Sequence, residues 1–207
     1  MSDLKNSIKK SIEESIDLIA STYPEDNFYA VAVSTDTDLE SLIISANSYQ
    51  NYSKELSELS FFDRLISKNY FKWGREEWGV FDGFSKLSKI REVWEAPYKI
   101  KNELITDAHN SRHVGSDFPT LPILAAEKDR SAAIYHNAEF LLTTICMALK
   151  EVGNSTWEKL NKRSEMLIFA TFEPDNEEAV RWNSAQLLNA GIVNPTLLKE
   201  FRKVCKS

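Results

Sequence analysis

Glycine and cysteine are both scarce in this chain, with six and two among its 207 residues. The glycines are scattered, and no GxGxxG turn, P-loop or GxSxG elbow occurs, so the dinucleotide, nucleotide-triphosphate and α/β-hydrolase classes lose their signatures. Two cysteines, Cys146 inside an apolar helical run and Cys205 near the end, make no disulfide framework and suit reducing conditions. Long hydrophobic runs are missing too. Nothing approaches the roughly 18 apolar residues of a membrane span. The N-terminus MSDLKNSIKKSIEESIDLIA also lacks the unbroken apolar core of a secretory signal. A soluble cytoplasmic protein that does not contact membranes is expected, and for it the sequon Asn154-Ser155-Thr156 carries no glycan. Positive charge is in deficit, since 25 Lys and Arg against 31 Asp and Glu leave a net charge of −6. A nucleic-acid binder needs a basic face to displace phosphate counterions. No nucleic-acid partner is therefore expected, whereas a basic protein partner is permitted.

Bulky aromatics are plentiful: five Trp, seven Tyr and eleven Phe. They supply a core without staples, and the chain reads as one globular domain over 1–207. Leu4, Ile8, Ile12, Ile16 and Ile19 recur at helical spacing and predict a helix with one buried stripe, ended by Tyr23-Pro24. In NFYAVAVS, 27–34, Tyr29, Val31 and Val33 alternate with Phe28, Ala30 and Ala32, and two apolar faces predict a covered central strand. A short polar run separates it from LIISA, 42–46, a spacing that predicts an antiparallel hairpin. Residues 53–68 predict a helix with Leu56, Leu59, Phe62, Leu65 and Ile66 on one side, and a short strand fits 70–73.

Helices are expected over 84–95 and 97–108, and HNSRHVGSDFPTLP reads as a loop. A long helix over 125–152 would turn Ala138, Leu141, Leu142, Ile145 and Leu149 inward, with Gly153 closing it. The strand LIFATF leads to Asp175 as N-cap with Glu178 as its capping-box acid, and Asn194-Pro195 opens the last helix. This order is α+β: a small, mainly antiparallel sheet covered by several α-helices.

Candidate sites each have a plain structural alternative. His109 and His113 lie one helical turn apart, as zinc-binding imidazoles do, with Asp107, Asp117 or His136 as third ligand. No Glu follows His109, and a solvated helix end accounts for the pair, so neither metal nor cofactor is expected. Asp36, Asp38 and Glu40 alternate like a calcium loop, but Ser41 stands where its turn needs glycine. Glu173, Asp175, Glu177 and Glu178 crowd carboxylates together, although Asp175 and Glu178 already serve the helix cap. Trp73 and Trp78 flank Gly74-Arg75-Glu76-Glu77, a composition shared by interface hot spots and ordinary core packing. The partner-binding candidates are accordingly Asp36, Asp38, Trp73, Glu76, Glu77, Trp78, Glu173 and Asp175, and no catalytic residue is assigned. Two functions fit: a protein-binding module, or an enzyme or small-ligand binder with a pocket near the sheet end.

Three segments, DNFYAVAVSTDTDLESLIISANS, KWGREEWGVFDG and LIFATFEPDNEEAVRWNSAQLLN, occur in an order that resembles the bacterial family catalogued as domain of unknown function 4303. The positions carrying the resemblance are Phe28, Tyr29, Ala30, Thr35, Asp36, Ala46, Asn47, Ser48, Trp73, Glu77, Trp78, Asp175, Leu188 and Asn189. It implies a compact α+β domain and brings no catalytic residues. Small acidic bacterial domains of this kind are often encoded beside toxins used in competition between cells. The resemblance thus implies an immunity protein that occludes a cognate, basic toxin.

Overall fold

In the computed structural model, which describes residues 2–36, 42–73, 78, 80–82, 132–173 and 178–205, the isoleucine stripe winds α1, Ser2–Thr22. Ile8, Ile12, Ile16 and Ile19 are buried, each contributing roughly 2 kcal/mol. The helix stops before Pro24, with Tyr23 N–H bonded to the Ile19 carbonyl. Strands β1 (Phe28–Asp36) and β2 (Leu42–Ser48) pair antiparallel as the hairpin spacing predicts.

The register of β1 on β2 shifts between Phe28 and Ala30. That irregularity rephases the strand, so Phe28, Val31 and Val33 enter one core cluster while Tyr29, Ala30 and Ala32 enter the other. Strict alternation grouped Tyr29 with Val31 and Phe28 with Ala30. An extra residue at a bulge is what corrects it.

The run expected as one helix over 53–68 is two: α2, Tyr49–Glu58, and α3, Phe61–Trp73. Leu59 is extended, at φ −87° and ψ 151°. Ser60 then restarts the helix, its Oγ accepting from Asp63 N–H at 3.3 Å and donating to Asp63 Oδ2 at 2.6 Å. This reciprocal cap resembles a capping box with Asp in place of Glu. The short strand expected at 70–73 is the end of α3, and β3 follows at Val80–Asp82. The helices expected over 84–108, the loop after them and the start of the long helix lie outside the described residues.

Helix α4, Ala132–Glu151, buries Leu141, Leu142, Ile145 and Leu149 as its spacing predicts. Gly153 does not close it in a left-handed turn. Its φ is −65°, and it caps the short α5, Asn154–Trp157; the described glycine with positive φ is Gly191, at 74°. A 3-10 turn, Arg163–Glu165, leads into β4, Leu167–Glu173. Helices α6, Glu178–Asn189, and α7, Pro195–Val204, complete the order. Asn194 caps α7 as its sequence predicts, accepting from Thr196 N–H at 2.9 Å.

The sheet order is β3-β2-β1-β4. Two of its three ladders are antiparallel, and β1 with β4 is parallel. Isoleucines of α1 and the apolar side of α4 join one face of the sheet in a core cluster with Trp157, while Trp73, Trp78, Leu197 and Phe201 join the other. The fold is α+β, with both faces covered.

Beside the edge strand β4 lies α6, and its polar side chains take the place of a fifth strand. Ser184 Oγ accepts from Ala170 N–H at 3.0 Å and reaches the Ala170 carbonyl at 2.7 Å. Asn189 accepts from Ile168 N–H at 3.0 Å and donates to the Ile168 carbonyl at 2.6 Å. An open edge is thereby closed, which removes a site for unwanted strand pairing.

Candidate functional site

Along the face of β1 that carries Ala30 and Ala32, residues become polar towards the carboxyl end. In register with β4, Ala32 lies beside Phe169, Ser34 beside Thr171, and Asp36 beside Glu173. Adjacent strands are about 4.8 Å apart, so the two acidic positions are neighbours at the end of the parallel pair. Their side chains lie outside the described residues, as do Asp38, Glu76, Glu77 and Asp175. Ser34, Thr35, Ser45 and Thr171 are fully buried. Among the described residues, Ser45 Oγ, Trp73 Nε1 and Trp78 Nε1 are buried polar atoms without a hydrogen-bond partner.

Both tryptophans belong to the core. Trp73 stands edge-on to Tyr29 at 5.6 Å between ring centroids and to Phe201 at 5.1 Å, and Trp78 stands edge-on to Phe169 at 5.9 Å. Each is 1% exposed. Of the two roles their composition allowed, the rings fill the structural one, and a partner cannot reach them while the fold is closed. Both cysteines are free and buried. Burial pushes the Cys146 thiol up to about 12, and Cys205 likewise, with Arg181 opposing and Glu178 adding to the rise. Neither is a reactive thiolate at neutral pH. Among the described residues no group of three or more metal-ligating side chains occurs. His109, His113, Asp107 and Asp117 lie outside those residues, and His136 is placed on α4 without a described side chain.

The start of α3 carries Phe62 and Leu65 of the apolar stripe expected over 53–68, and the structure turns them to solvent together with Phe61. Phe61, Phe62 and Leu65 are 71%, 75% and 62% exposed, with the two rings edge-to-face at 5.9 Å. The corner holding them is built. Besides the Ser60–Asp63 cap, Arg64 Nε donates to the Leu59 carbonyl at 3.0 Å and Nη2 to the Ser57 carbonyl at 2.9 Å. A row of large apolar groups in water on an ordered corner is the composition of an interaction surface. The sequence signal for it was Ser60-x-x-Asp63, a cap inside an apparent helix that starts a new helix after the extended Leu59.

The family model described as domain of unknown function (DUF4303) matches residues 4–190. The chain belongs to this family. No curated protein and no solved structure matches it. Helix α7 lies beyond the DUF4303 match, yet it supplies Leu197 and Phe201 to the second core cluster.

Most described DUF4303 signature positions hold the fold together. Phe28, Tyr29, Ala30 and Ala46 are core. Asn47 Nδ2 donates to Tyr29 Oη at 2.8 Å, and that hydroxyl donates to the Lys72 carbonyl at 2.7 Å, tying β1 and β2 to the end of α3. Burial, with Tyr52 and Tyr49 adding to it, raises the Tyr29 phenol well above its ordinary value, which keeps it a donor. Ser48 Oγ caps α2 through Asn51 N–H at 3.0 Å and donates to Asp26 Oδ2 at 2.6 Å. Asn189 closes the sheet edge. In this chain these positions hold the architecture together.

Proposed function

We propose that this chain is a protein-binding module: a cytoplasmic immunity protein of bacterial competition that neutralises a cognate basic toxin by occluding it. The observation that carries the reading is the exposed row Phe61, Phe62 and Leu65 on the capped corner of α3. Aromatic side chains held in one orientation lose little entropy on docking and make strong anchors. The net charge of −6 speeds encounter with a cation and makes the association salt-sensitive. Among the described residues no helix is long and apolar enough to cross a membrane, which accords with a partner met in solution.

The test is protection. Cells expressing the product of the adjacent gene, a candidate toxin, are grown with the wild-type chain or with Phe62→Ser/Leu65→Ser. Rescue by the wild type and none by an equally abundant double variant supports the reading. Equal rescue by both removes this face from it, and no rescue by either argues against an immunity role.

A second reading, an enzyme or small-ligand binder, draws on the Asp36–Glu173 register and the buried unpartnered Ser45 and Trp78. Ordered ligand density reaching Ser45 Oγ or Trp78 Nε1 in an experimental structure would support it.

A further inference from the structure

A second aromatic cluster reaches solvent where α2 begins, and the buried Tyr29 is its hub. The ring centroids of Tyr49, Trp73 and Tyr52 lie 4.8, 5.6 and 6.2 Å from that of Tyr29. The cluster already holds one cation. Lys72 Nζ stands 5.7 Å over the Tyr29 ring and 5.3 Å over the Trp73 ring, and Glu200 Oε2 meets its charge at 2.6 Å. Tyr29 and Trp73 are buried, but Tyr49 is 41% exposed and Tyr52 is only partly buried. The cation-binding rings inside therefore continue outward as a tyrosine platform open to water.

Carboxylates approach this platform from three segments. The turn before β1 packs on the start of α2, with Tyr49 N–H bonded to the Asn27 carbonyl at 3.0 Å and Gln50 Nε2 to the Glu25 carbonyl at 2.8 Å, which brings Glu25 and Asp26 beside it. Glu165 comes from the 3-10 turn and Glu200 from α7, two elements tied by Asn194 N–H to the Ser164 carbonyl at 2.8 Å. Burial raises the Tyr49 phenol, and Glu165 and Glu200 add to the rise; Tyr52 is raised by burial and then by Glu200. Both carboxylates thus act on the exposed rings. Opposing charge is thin. Lys162 reaches Glu165 only at 4.0 Å, and among the described residues neither Glu25 nor Asp26 forms an ion pair.

An exposed aromatic face bordered by carboxylates suits a planar cation. A guanidinium stacks flat on the ring and turns its N–H fork to a carboxylate at the ring edge, whereas a Lys ammonium is a compact point charge without that fork. We propose that Tyr49 and Tyr52, with Glu165 and Glu200, form a docking surface for an arginine side chain of the basic protein partner. The partner's nature rests on the reading given above, whereas the arginine contact uses none of the side chains of the α3 corner.

NMR titration of the full chain with the terminally blocked peptide Gly-Arg-Gly-Arg-Gly, against its citrulline counterpart as the uncharged isostere, tests the site. Saturable shifts centred on Tyr49 and Tyr52, with binding at least ~10-fold tighter than the citrulline peptide, are expected from a charge-assisted contact. Tyr49→Leu keeps apolar bulk on Tyr29 but removes the π face, and should weaken binding by ~3- to 5-fold at an unchanged Tm. Tyr49→Phe keeps the ring and should bind as the wild type does. Glu165→Gln, at an exposed carboxylate, takes the place of Tyr49→Leu if that variant lowers the Tm. Equal binding of the two peptides, or arginine binding that these variants leave unchanged, would overturn the proposal. With the product of the adjacent gene, a complex that Tyr49→Leu leaves unchanged would overturn the arginine contact alone, while no complex with any form of the chain counts against the immunity reading and leaves the peptide result to decide the site.

Discussion

Replacing Asn189 by alanine should cost more stability than most single changes elsewhere in the chain. Asn189 is fully buried. Its amide accepts from Ile168 N–H and Arg163 Nη2 and donates to the Ile168 and Ala185 carbonyls. Without it, the Ala185 carbonyl sits within α6 and keeps helical bonding, and Arg163 Nη2 keeps the Leu188 carbonyl. The Ile168 N–H and C=O lose the partner that covers the strand edge. Two orphaned backbone groups at roughly 1–3 kcal/mol each give about 2–6 kcal/mol, the lower end applying if water enters the space. Urea unfolding of the wild type and Asn189→Ala reads that difference. Amide hydrogen exchange at Ile168 adds a local signature, because its N–H should lose protection beyond what global destabilisation explains. A loss under about 1 kcal/mol with Ile168 still protected would refute the assignment of Asn189 as the closing strand substitute, since an edge amide open to solvent costs little.

Ser60→Ala removes the cap that separates α3 from α2, and a loss of about 1 kcal/mol in the unfolding free energy from urea titration is expected; no change would mean the corner is set by Arg64 instead. Alkaline titration follows from the buried thiols. Their folded values, raised from 9.0 to about 12, mean that their stabilisation is complete below pH 9 and lost as pH rises towards 12, by about 1.4 kcal/mol per pH unit for each thiol. Urea midpoints at pH 8 to 11 check this, and a flat profile would contradict the burial of Cys146. Truncation after residue 194 removes α7 although the family match ends before it, and should unfold the chain by uncovering Trp73 and Phe169. A truncated form with native Tm would show α7 to be an appendage. Phe62→Ser, at an exposed position, should leave the unfolding free energy from urea titration within about 0.5 kcal/mol of wild type, and a larger loss would make Phe62 a core residue.

The isoleucine stripe of α1, the hairpin and the Asn194 cap were legible because each depends on residues within a few turns of one another. The pairing of β1 with β4 was not, since the partners are far apart in sequence and a parallel pair leaves no local turn signal. Periodicity also fails to say which side of a helix faces the core. Leu56, Leu59, Phe62 and Leu65 have the spacing of a buried stripe, and only the break at Leu59 reveals that two helices share it. The same limit governed the candidate site. Trp73 and Trp78 have hot-spot chemistry and core placement, whereas Phe62 and Leu65 belong to the expected apolar stripe and stand in water. Asn189 was visible as a signature residue, but its partners on β4 exist only once the sheet edge meets α6.

The central claim is that the exposed apolar corner of α3 is where a cationic protein partner would dock. Calorimetry of the wild type and of Phe62→Ser/Leu65→Ser with the purified product of the adjacent gene, at low and high salt, addresses that claim most directly. A stoichiometric complex that weakens with salt in the wild type, and weakens by at least ~30-fold in the double variant as expected for a hot spot of about 2 kcal/mol, is the predicted result. No complex at either salt, or one of equal affinity in the variant, would contradict it.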